Sequence, residues 1–218
     1  MDCTAPGRII TGICTLFFPE IGCGTGLLSE KINRLWEDQQ FWVNDLVEQM
    51  CRKTIDRCQL PVSHGLNGDI EQIPLTGKFD LIVSASTFQW LAHPRATFAK
   101  LAAHLNTNGW LIFSTNFKEL KAVTGQGLEY RSIGELSAWL SSEYDILYTE
   151  EQIHTLKFSD PLDILRHVKK TGVNATSLPT AWTKGRLHEF CEDYKIRFLT
   201  DGYCPLSYHP LYLVCRKK

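Results

Sequence analysis

No apolar run in the 218-residue sequence approaches the roughly 20 residues that a membrane-spanning helix needs. We therefore expect no membrane partner. Net charge is also almost absent, because 23 Lys and Arg residues balance 24 Asp and Glu residues and leave −1 at pH 7. This balance argues against a general nucleic-acid binder. The sequence lacks internal repeats, low-complexity tracts and linkers, so residues 1–218 are expected to form a single domain.

The cysteines lack any spacing typical of a metal or redox site. The eight are Cys3, Cys14, Cys23, Cys51, Cys58, Cys191, Cys204 and Cys215. No two form a C-x-x-C pair, and no His/Cys cluster has zinc spacing, so we predict no metal site. Several fall in apolar stretches, which favours free, buried thiols in a reducing compartment. We therefore expect a cytoplasmic protein.

Residues 16–46 carry the strongest functional pattern. An apolar run leads into Glu20, a glycine-rich turn, a helical pattern and a strand-like run that ends in Asp45. The turn consists of Gly22, Cys23, Gly24, Thr25 and Gly26. A strand, a glycine turn, a helix and a strand with an acid at its tip make half of a nucleotide-binding α/β sheet.

The spacing of the glycines discriminates between nucleotides. A dinucleotide fingerprint needs its third glycine at the position of Leu27, which disfavours a nicotinamide dehydrogenase. Glu20 would repel a pyrophosphate but suits a ligand with an amino group and a sulfonium. The pattern E-x-G-x-G-x-G resembles motif I of the class I S-adenosylmethionine-dependent methyltransferases. Asp45 is then predicted to accept hydrogen bonds from both ribose hydroxyls. The predicted cofactor contacts in this stretch are Glu20, Gly22, Cys23, Gly24, Gly26, Asp45 and Leu46.

A second acid, Asp69, follows a weakly patterned strand predicted to run from Pro61 to about Gly68. An acid at the tip of a third strand suits the exocyclic amine of adenine, and the neighbouring Ile70 is included in this predicted cofactor site. The alternative is a loop aspartate that caps a turn.

The clearest strand, Phe79–Ser84, is apolar enough to be central in a parallel sheet. The resemblance implies that Ser84 lies at the cofactor. It also implies that Phe88, Gln89 and Trp90 face the methionine half of the cofactor and the acceptor substrate. Phe88 and Trp90 are alternatively core aromatic residues.

Strands and helices alternate as far as Ser114, which predicts a right-handed, doubly wound α/β sheet. The resemblance implies a Rossmann-like methyltransferase fold with a mostly parallel, seven-stranded sheet, an antiparallel last strand and a helical substrate-side insertion. Residues 115–205 are predicted to supply the substrate-side helices and strand. Ser132 and Glu135 have capping-box spacing for a helix. Residues 144–158 are predicted to be strand, with a turn at Glu150–Glu151.

The start of the chain departs from the class. Methyltransferases of this kind usually have one or two helices before motif I that close over the cofactor. Residues 1–15 are therefore expected to be an atypical, truncated start. Pro19 also falls inside the predicted central strand, where proline removes a ladder donor.

Three further segments indicate one family within this class of methyltransferases. They are FDLIVSASTFQWL (79–91), LKFSDPLDILRHVKKTGVNAT (156–176) and PLSYHPLYLVCRKK (205–218). In this order they resemble the malonyl-acyl-carrier-protein O-methyltransferases of biotin synthesis, over residues 20–218. The resemblance implies an enzyme that uses S-adenosylmethionine to methylate the free carboxylate of a malonyl group on an acyl-carrier protein.

A carboxylate is ionised at neutral pH, so this reaction needs no general base and no catalytic side chain is predicted. An acidic carrier protein would be met by a basic face, for which the candidates are Arg166, Lys169 and Lys170; the alternative is a solvated basic surface. A monomer is expected. Two other functions stay open: a methyltransferase of the same class with another small acceptor, and an inactive relic.

Overall fold

The computed structural model describes residues 16–36, 40–118, 131–170 and 183–218, with the backbone alone for residues 116–118 and 170. Residues 1–15, expected to be an atypical start, lie outside this part. The strands are β1 (Phe17–Ile21), β2 (Gln40–Asp45), β3 (Gly65–Asn67), β4 (Phe79–Ala85), β5 (Leu105–Lys118), β6 (Tyr144–Glu151), β7 (His154–Phe158) and β8 (Cys204–Lys217). The helices are α1 (Leu27–Leu35), α2 (Glu48–Cys58), α3 (Pro94–Ala103), α4 (Ile133–Leu140), α5 (Pro161–Lys170) and α6 (Lys184–Phe198).

The strands form one sheet in the order β3-β2-β1-β4-β5-β8-β6, with β7 also paired to β8. Strands β1 to β5 pair in parallel, whereas β8 runs antiparallel to β5, β6 and β7. The predicted Rossmann-like class, mostly parallel with an antiparallel last strand, is confirmed. Because parallel strands β1, β2, β4 and β5 end at the same edge, the loops that follow them meet there.

The described sheet has eight strands where seven were predicted. The stretch predicted as one strand with a turn at Glu150–Glu151 is divided instead at residues 152–153. Glu150 and Glu151 continue β6 and pair with β8, so the predicted turn is wrong. The chain does not reverse there, because β7 pairs antiparallel with the same strand as β6.

Pro19 lies in β1, the strand at the centre of the parallel part of the sheet. Pairing with β2 covers all of β1, but pairing with β4 begins only at Glu20. The Phe17 N–H points to the β4 side, where it donates to the Asp80 carboxylate at 3.2 Å. Backbone N–H groups alternate sides along a strand, so the Pro19 nitrogen faces β4 as well and has no hydrogen to donate. The predicted gap in the central ladder is present on that side.

Helices cover both faces of the sheet, as a doubly wound fold requires. On one face α1 and α2 bury Ile32 and Ile55 against Phe18 and Phe41. On the other face Phe98 of α3 joins a cluster that includes residues of β4, β5 and α4. The two apolar cores therefore pack against opposite faces of the sheet.

A third cluster lies under α5 and α6. Ile164 of α5 and Tyr194 of α6 pack with Leu206 of β8, and all three are almost fully buried. This part corresponds to the predicted substrate-side region, although residues 119–130 and 171–182 of that region lie outside the described chain. The assignment of residues 1–218 to a single domain stays a prediction.

The strand predicted from Pro61 is wrong in its bounds. Residues Val62–His64 form a 3₁₀ turn, so the strand predicted from Pro61 is reduced to the three residues of β3. Helix α2 begins at Glu48, which leaves Leu46 and Val47 before the helix. Their side chains are 73% and 48% exposed and therefore do not belong to its buried face.

The six described cysteines (Cys23, Cys51, Cys58, Cys191, Cys204 and Cys215) are all free and buried, as predicted for several of the cysteines. Cys3 and Cys14 lie outside the described residues. No described helix is long and apolar enough to cross a membrane.

The capping box predicted for α4 is present and can be tested. The Ser132 hydroxyl accepts from the Glu135 N–H, and the Glu135 carboxylate accepts from the Ser132 N–H. Ser132→Ala should lower the free energy of unfolding by about 1 kcal/mol, because one helix-end donor loses its partner. Ser132→Thr keeps a hydroxyl and should stay close to the parent in urea unfolding. Equal losses in both variants would contradict the role of the cap.

Candidate active site

The glycine turn begins where β1 ends. Gly22 and Gly24 have φ angles of 71° and 55°, a region that side chains other than glycine rarely adopt. A Cβ atom on Gly22 would lie 1.9 Å from the Thr87 Oγ1 atom. By contrast, a Cβ on Gly24 would meet no described atom within 4 Å. Gly22 is thus required by packing inside the protein, whereas Gly24 borders open space.

Asp45 lies beside this turn at the end of β2. One carboxylate oxygen accepts from the Gly24 N–H at 2.9 Å, and the other accepts from the Val47 N–H at 2.9 Å. Next to it, the exposed Leu46 offers an apolar surface. The structure therefore brings together the predicted glycine turn, the acid and an apolar residue.

The loop after β3 is tied to β2. The buried Asn44 amide donates to the carbonyl oxygens of Leu66 at 2.6 Å and Gly68 at 3.0 Å. Asp69 follows, and one of its carboxylate oxygens accepts from the Glu71 N–H at 2.9 Å, so it does cap a turn. Ile70 is 5% exposed and belongs to the core. Contact of the Asp69 and Ile70 side chains with a ligand stays a prediction.

The loop after β4 abuts the glycine turn from the other side. The Ser84 hydroxyl is buried and donates to the Ile21 carbonyl oxygen at 2.9 Å. Thr87 packs directly on Gly22, as the close approach described above shows. Phe88 is 5% exposed and its ring packs against Phe98 and Phe113, so the core alternative describes its side chain.

Trp90 is half-buried and ends the 3₁₀ turn that carries Gln89. The Gln89 side chain bonds to Thr115, a residue of β5 that is only 6% exposed. No sequence pattern marked Thr115, because a single threonine in a strand is typical of β structure and carries no spacing signal.

Glu20 is buried in β1 with 1% of its surface exposed. The Ser29 hydroxyl of α1 donates a hydrogen bond to its carboxyl group. Burial raises the pKa of Glu20 from 4.5 to about 7; the Ser29 bond opposes this rise in pKa and the nearby negative charge of Asp45 adds to it. Its side chain therefore faces α1, and its predicted contact with a cofactor amino group remains a prediction. Cys23, another predicted cofactor contact, is also buried, with 5% of its surface exposed.

The predicted basic face lies on α5, which packs against α6 and β7. Arg166 is exposed and pairs with Asp163 at 2.7 Å. The Lys169 side chain is exposed, and that of Lys170 lies outside the described atoms. Among the described residues, no group of three or more His, Cys, Asp and Glu side chains is arranged to hold a metal ion.

Comparisons with known proteins show which family the chain resembles. Residues 20–111 match a family model described as a methyltransferase domain. The chain is 38% identical over 215 residues to a malonyl-acyl-carrier-protein O-methyltransferase of Bacteroides thetaiotaomicron, covering 91% of this chain and 81% of that protein. The chain belongs to this family.

A Bacteroides fragilis protein of the same name is 41% identical over 204 residues, which are 91% of this chain but 41% of the length of that relative. The solved structure of a Bacillus halodurans protein assigned as a methyltransferase matches with a TM-score of 0.66 over 93% of this chain and 92% of that one. Its sequence identity is 12%, so that likeness supports the fold.

The buried Glu20 predicts a pH effect on stability. The folded protein holds the Glu20 proton more tightly than the unfolded chain does. Protonated Glu20 therefore contributes stability that is fully present below about pH 4.5 and is lost as the pH rises through about 7. Glu20→Gln, which stays neutral, should exceed the parent's free energy of unfolding by about 1 kcal/mol or less near pH 5 and by up to about 3 kcal/mol at pH 8.

Urea unfolding of both proteins from pH 5 to pH 8 measures this difference. Because the two share every other titrating group, their difference isolates Glu20. Unfolding free energies that stay parallel across the whole range would show that Glu20 is not held protonated by the fold.

Proposed function

We propose that the protein transfers a methyl group from S-adenosylmethionine to the free carboxylate of a malonyl group carried by an acyl-carrier protein. The observation that carries this proposal is the 38% identity, over 91% of the chain, to a relative named for that activity. The glycine turn supports the same function. It places open space at Gly24 next to the Asp45 carboxylate, and a ligand could contact both.

The residues present fit this cofactor. The Cα atom of Gly24 borders open space, and Asp45 has carboxylate lone pairs for ribose hydroxyls in addition to the two N–H groups from which it already accepts. Leu46 would contact the adenine ring with its exposed apolar side chain. Asp69 and Ser84 would complete the surroundings of the cofactor from the neighbouring strand ends.

The chemistry needs positioning and no proton transfer. When bound, S-adenosylmethionine supplies a methyl group on a positively charged sulfur, so that an O–CH₃ bond forms as the S–CH₃ bond breaks and leaves its electron pair on sulfur. The protein's part is to align the acceptor carboxylate and to exclude water. Gln89 and Trp90, in the turn after β4, are proposed to face the acceptor, with Phe88 anchoring that turn in the core.

The carrier protein is proposed to dock on the exposed face of α5. Acyl-carrier proteins are acidic, so a basic surface would raise the association rate. Arg166, which also pairs with Asp163, would supply the attraction together with Lys169 and Lys170.

The free, buried state of six cysteines supports a cytoplasmic location. We also propose that the protein is a monomer and that residues 115–205 form the substrate side of a single domain.

Methyl transfer can be tested together with the cofactor site. The parent, incubated with methyl-labelled S-adenosylmethionine, should label malonyl carrier protein and leave acetyl carrier protein unlabelled. Gly24→Val should abolish both transfer and cofactor binding in calorimetry, because its side chain would occupy the open space at the turn. Gly77→Val is the matched control. Gly77 has a φ of +81°, and a Cβ atom there would meet no described atom within 4 Å, but it precedes β4 at the opposite edge of the sheet.

Both valine variants should be destabilised by about 1–2 kcal/mol, the cost of the left-handed conformation for a residue with a Cβ. Only the Gly24 variant should lose activity. Labelling of acetyl carrier protein, or no labelling by the parent, would overturn the proposed function.

Charge reversal tests the carrier surface. Arg166→Glu with Lys169→Glu and Lys170→Glu should raise KM for malonyl carrier protein by about 10-fold or more and flatten its salt dependence. Turnover of a small malonyl thioester should stay unchanged. Lys31→Glu with Arg52→Glu and Lys53→Glu, on the exposed surfaces of α1 and α2, supplies a control with the same change of charge. Equal losses on both substrates would mean that α5 shapes the active site instead.

A further inference from the structure

The Gln89 side chain is held by two hydrogen bonds in one orientation. Its Oε1 atom accepts from the Thr115 hydroxyl at 3.0 Å, and its Nε2 atom donates to the Ser86 carbonyl oxygen at 2.7 Å. The reverse orientation of the amide is excluded chemically, because it would place Oε1 against a carbonyl oxygen that has no hydrogen. Ser86 thus decides which way the amide points, and Thr115 holds it there.

One amide hydrogen remains for a ligand. The Nε2 atom of Gln89 carries two hydrogens and uses one for Ser86. Within the described residues no second acceptor for Nε2 is found. Gln89 as a whole is half-buried.

The backbone around Gln89 is fixed next to the glycine turn. Ser86 has a φ of 55°, and its N–H donates to the Ser114 carbonyl oxygen at 2.9 Å. Phe88 is anchored in the core, and Thr87 packs on Gly22. A non-glycine residue with positive φ stores backbone strain, and such strain persists where the surrounding structure holds it. The Gln89 amide is therefore presented from a rigid turn that touches the cofactor turn.

We propose that Gln89 donates its second amide N–H to one oxygen of the acceptor carboxylate, and that Thr115 is the positioning residue that sets this amide. The inference rests on the proposed function and specifies how that site recognises its acceptor. A carboxylate accepts at both oxygens. An N–H bound to one oxygen leaves the other free to attack the methyl group, and it fixes the plane of the carboxylate.

The burial of Thr115 supports this role. A buried hydroxyl is unfavourable unless it is hydrogen-bonded, and valine would fill the same volume at this strand position without that requirement. The Thr115 hydroxyl of β5 donates to the side chain of Gln89, which lies 26 residues away in sequence. This hydrogen bond orients the Gln89 side chain.

Three variants test the proposal. Thr115→Val removes the hydroxyl at nearly constant volume and should raise KM for the malonyl substrate by about 3- to 10-fold, the effect of losing one neutral hydrogen bond. Thr115→Ser keeps the hydroxyl and should restore KM to within about 2-fold of the parent. Gln89→Glu keeps the shape but replaces the N–H donor by a negative charge, and should reduce kcat/KM by about 100-fold or more, because it repels the acceptor carboxylate.

The readouts separate this role from others. KM should rise equally for malonyl carrier protein and for a small malonyl thioester, because both carry the same carboxylate. The dissociation constant of S-adenosylmethionine and the melting temperature of Thr115→Val should stay near those of the parent. In a double-mutant cycle, Thr115→Val should add little to the loss caused by Gln89→Glu.

Three outcomes would contradict the proposals. Weaker S-adenosylmethionine binding by Gln89→Glu, with an unchanged KM for the malonyl substrate, would place the amide at the cofactor and overturn the proposal. An active parent whose malonyl KM is indifferent to both Thr115→Val and Gln89→Glu would overturn this inference alone. A parent that methylates no malonyl substrate would overturn the proposed function and this inference together.

Discussion

The hydrogen bond between the Asp45 carboxylate and the Gly24 N–H joins the ends of two parallel strands, and the candidate site depends on it. It forms only because β1 and β2 are paired in register, so that the glycine turn and the acid leave the sheet side by side. A bond to a carboxylate is stronger than one between neutral groups. The turn is left-handed at Gly24, where a Cβ atom would meet no described atom within 4 Å.

Much of the fold was predictable because its signals are local. The capping box at Ser132 and Glu135 depends on residues three positions apart, and the glycine turn and helix α1 follow one another directly. The errors lie where tertiary pairing decides the outcome. Strand β3 has three residues and, within the described sheet, pairs only with β2, so it leaves almost no periodic pattern. β6 and β7 are separate because they pair with successive parts of β8. The sequence of residues 144–158 alone carries no signal for that pairing.

The position of the candidate site residues in the fold was predictable to a similar degree, while their contacts with a ligand stay predictions. Glycines and an acid in fixed order predicted the turn and Asp45, but the hydroxyl groups that contact the candidate site residues come from other elements. Ser29 bonds to Glu20 from another element, Thr87 lies 65 residues from Gly22, and Thr115 lies 26 residues from Gln89. A lone hydroxyl residue has no spacing pattern, so its partner appears only when the sheet order is known.

At the carboxyl edge of the sheet, hydrogen bonds from polar side chains connect each strand end to its neighbour. Asn44 of β2 bonds to the end of β3, Ser84 of β4 bonds to the end of β1, and Thr115 of β5 bonds to the turn after β4. All three are buried, and a buried polar group must find a partner. Each therefore fixes its neighbour as well as itself, and a change at one strand end is transmitted to the loop of the next. Precision at the site then arises from satisfying buried polar groups, while the apolar cores on either side only bring the strands together.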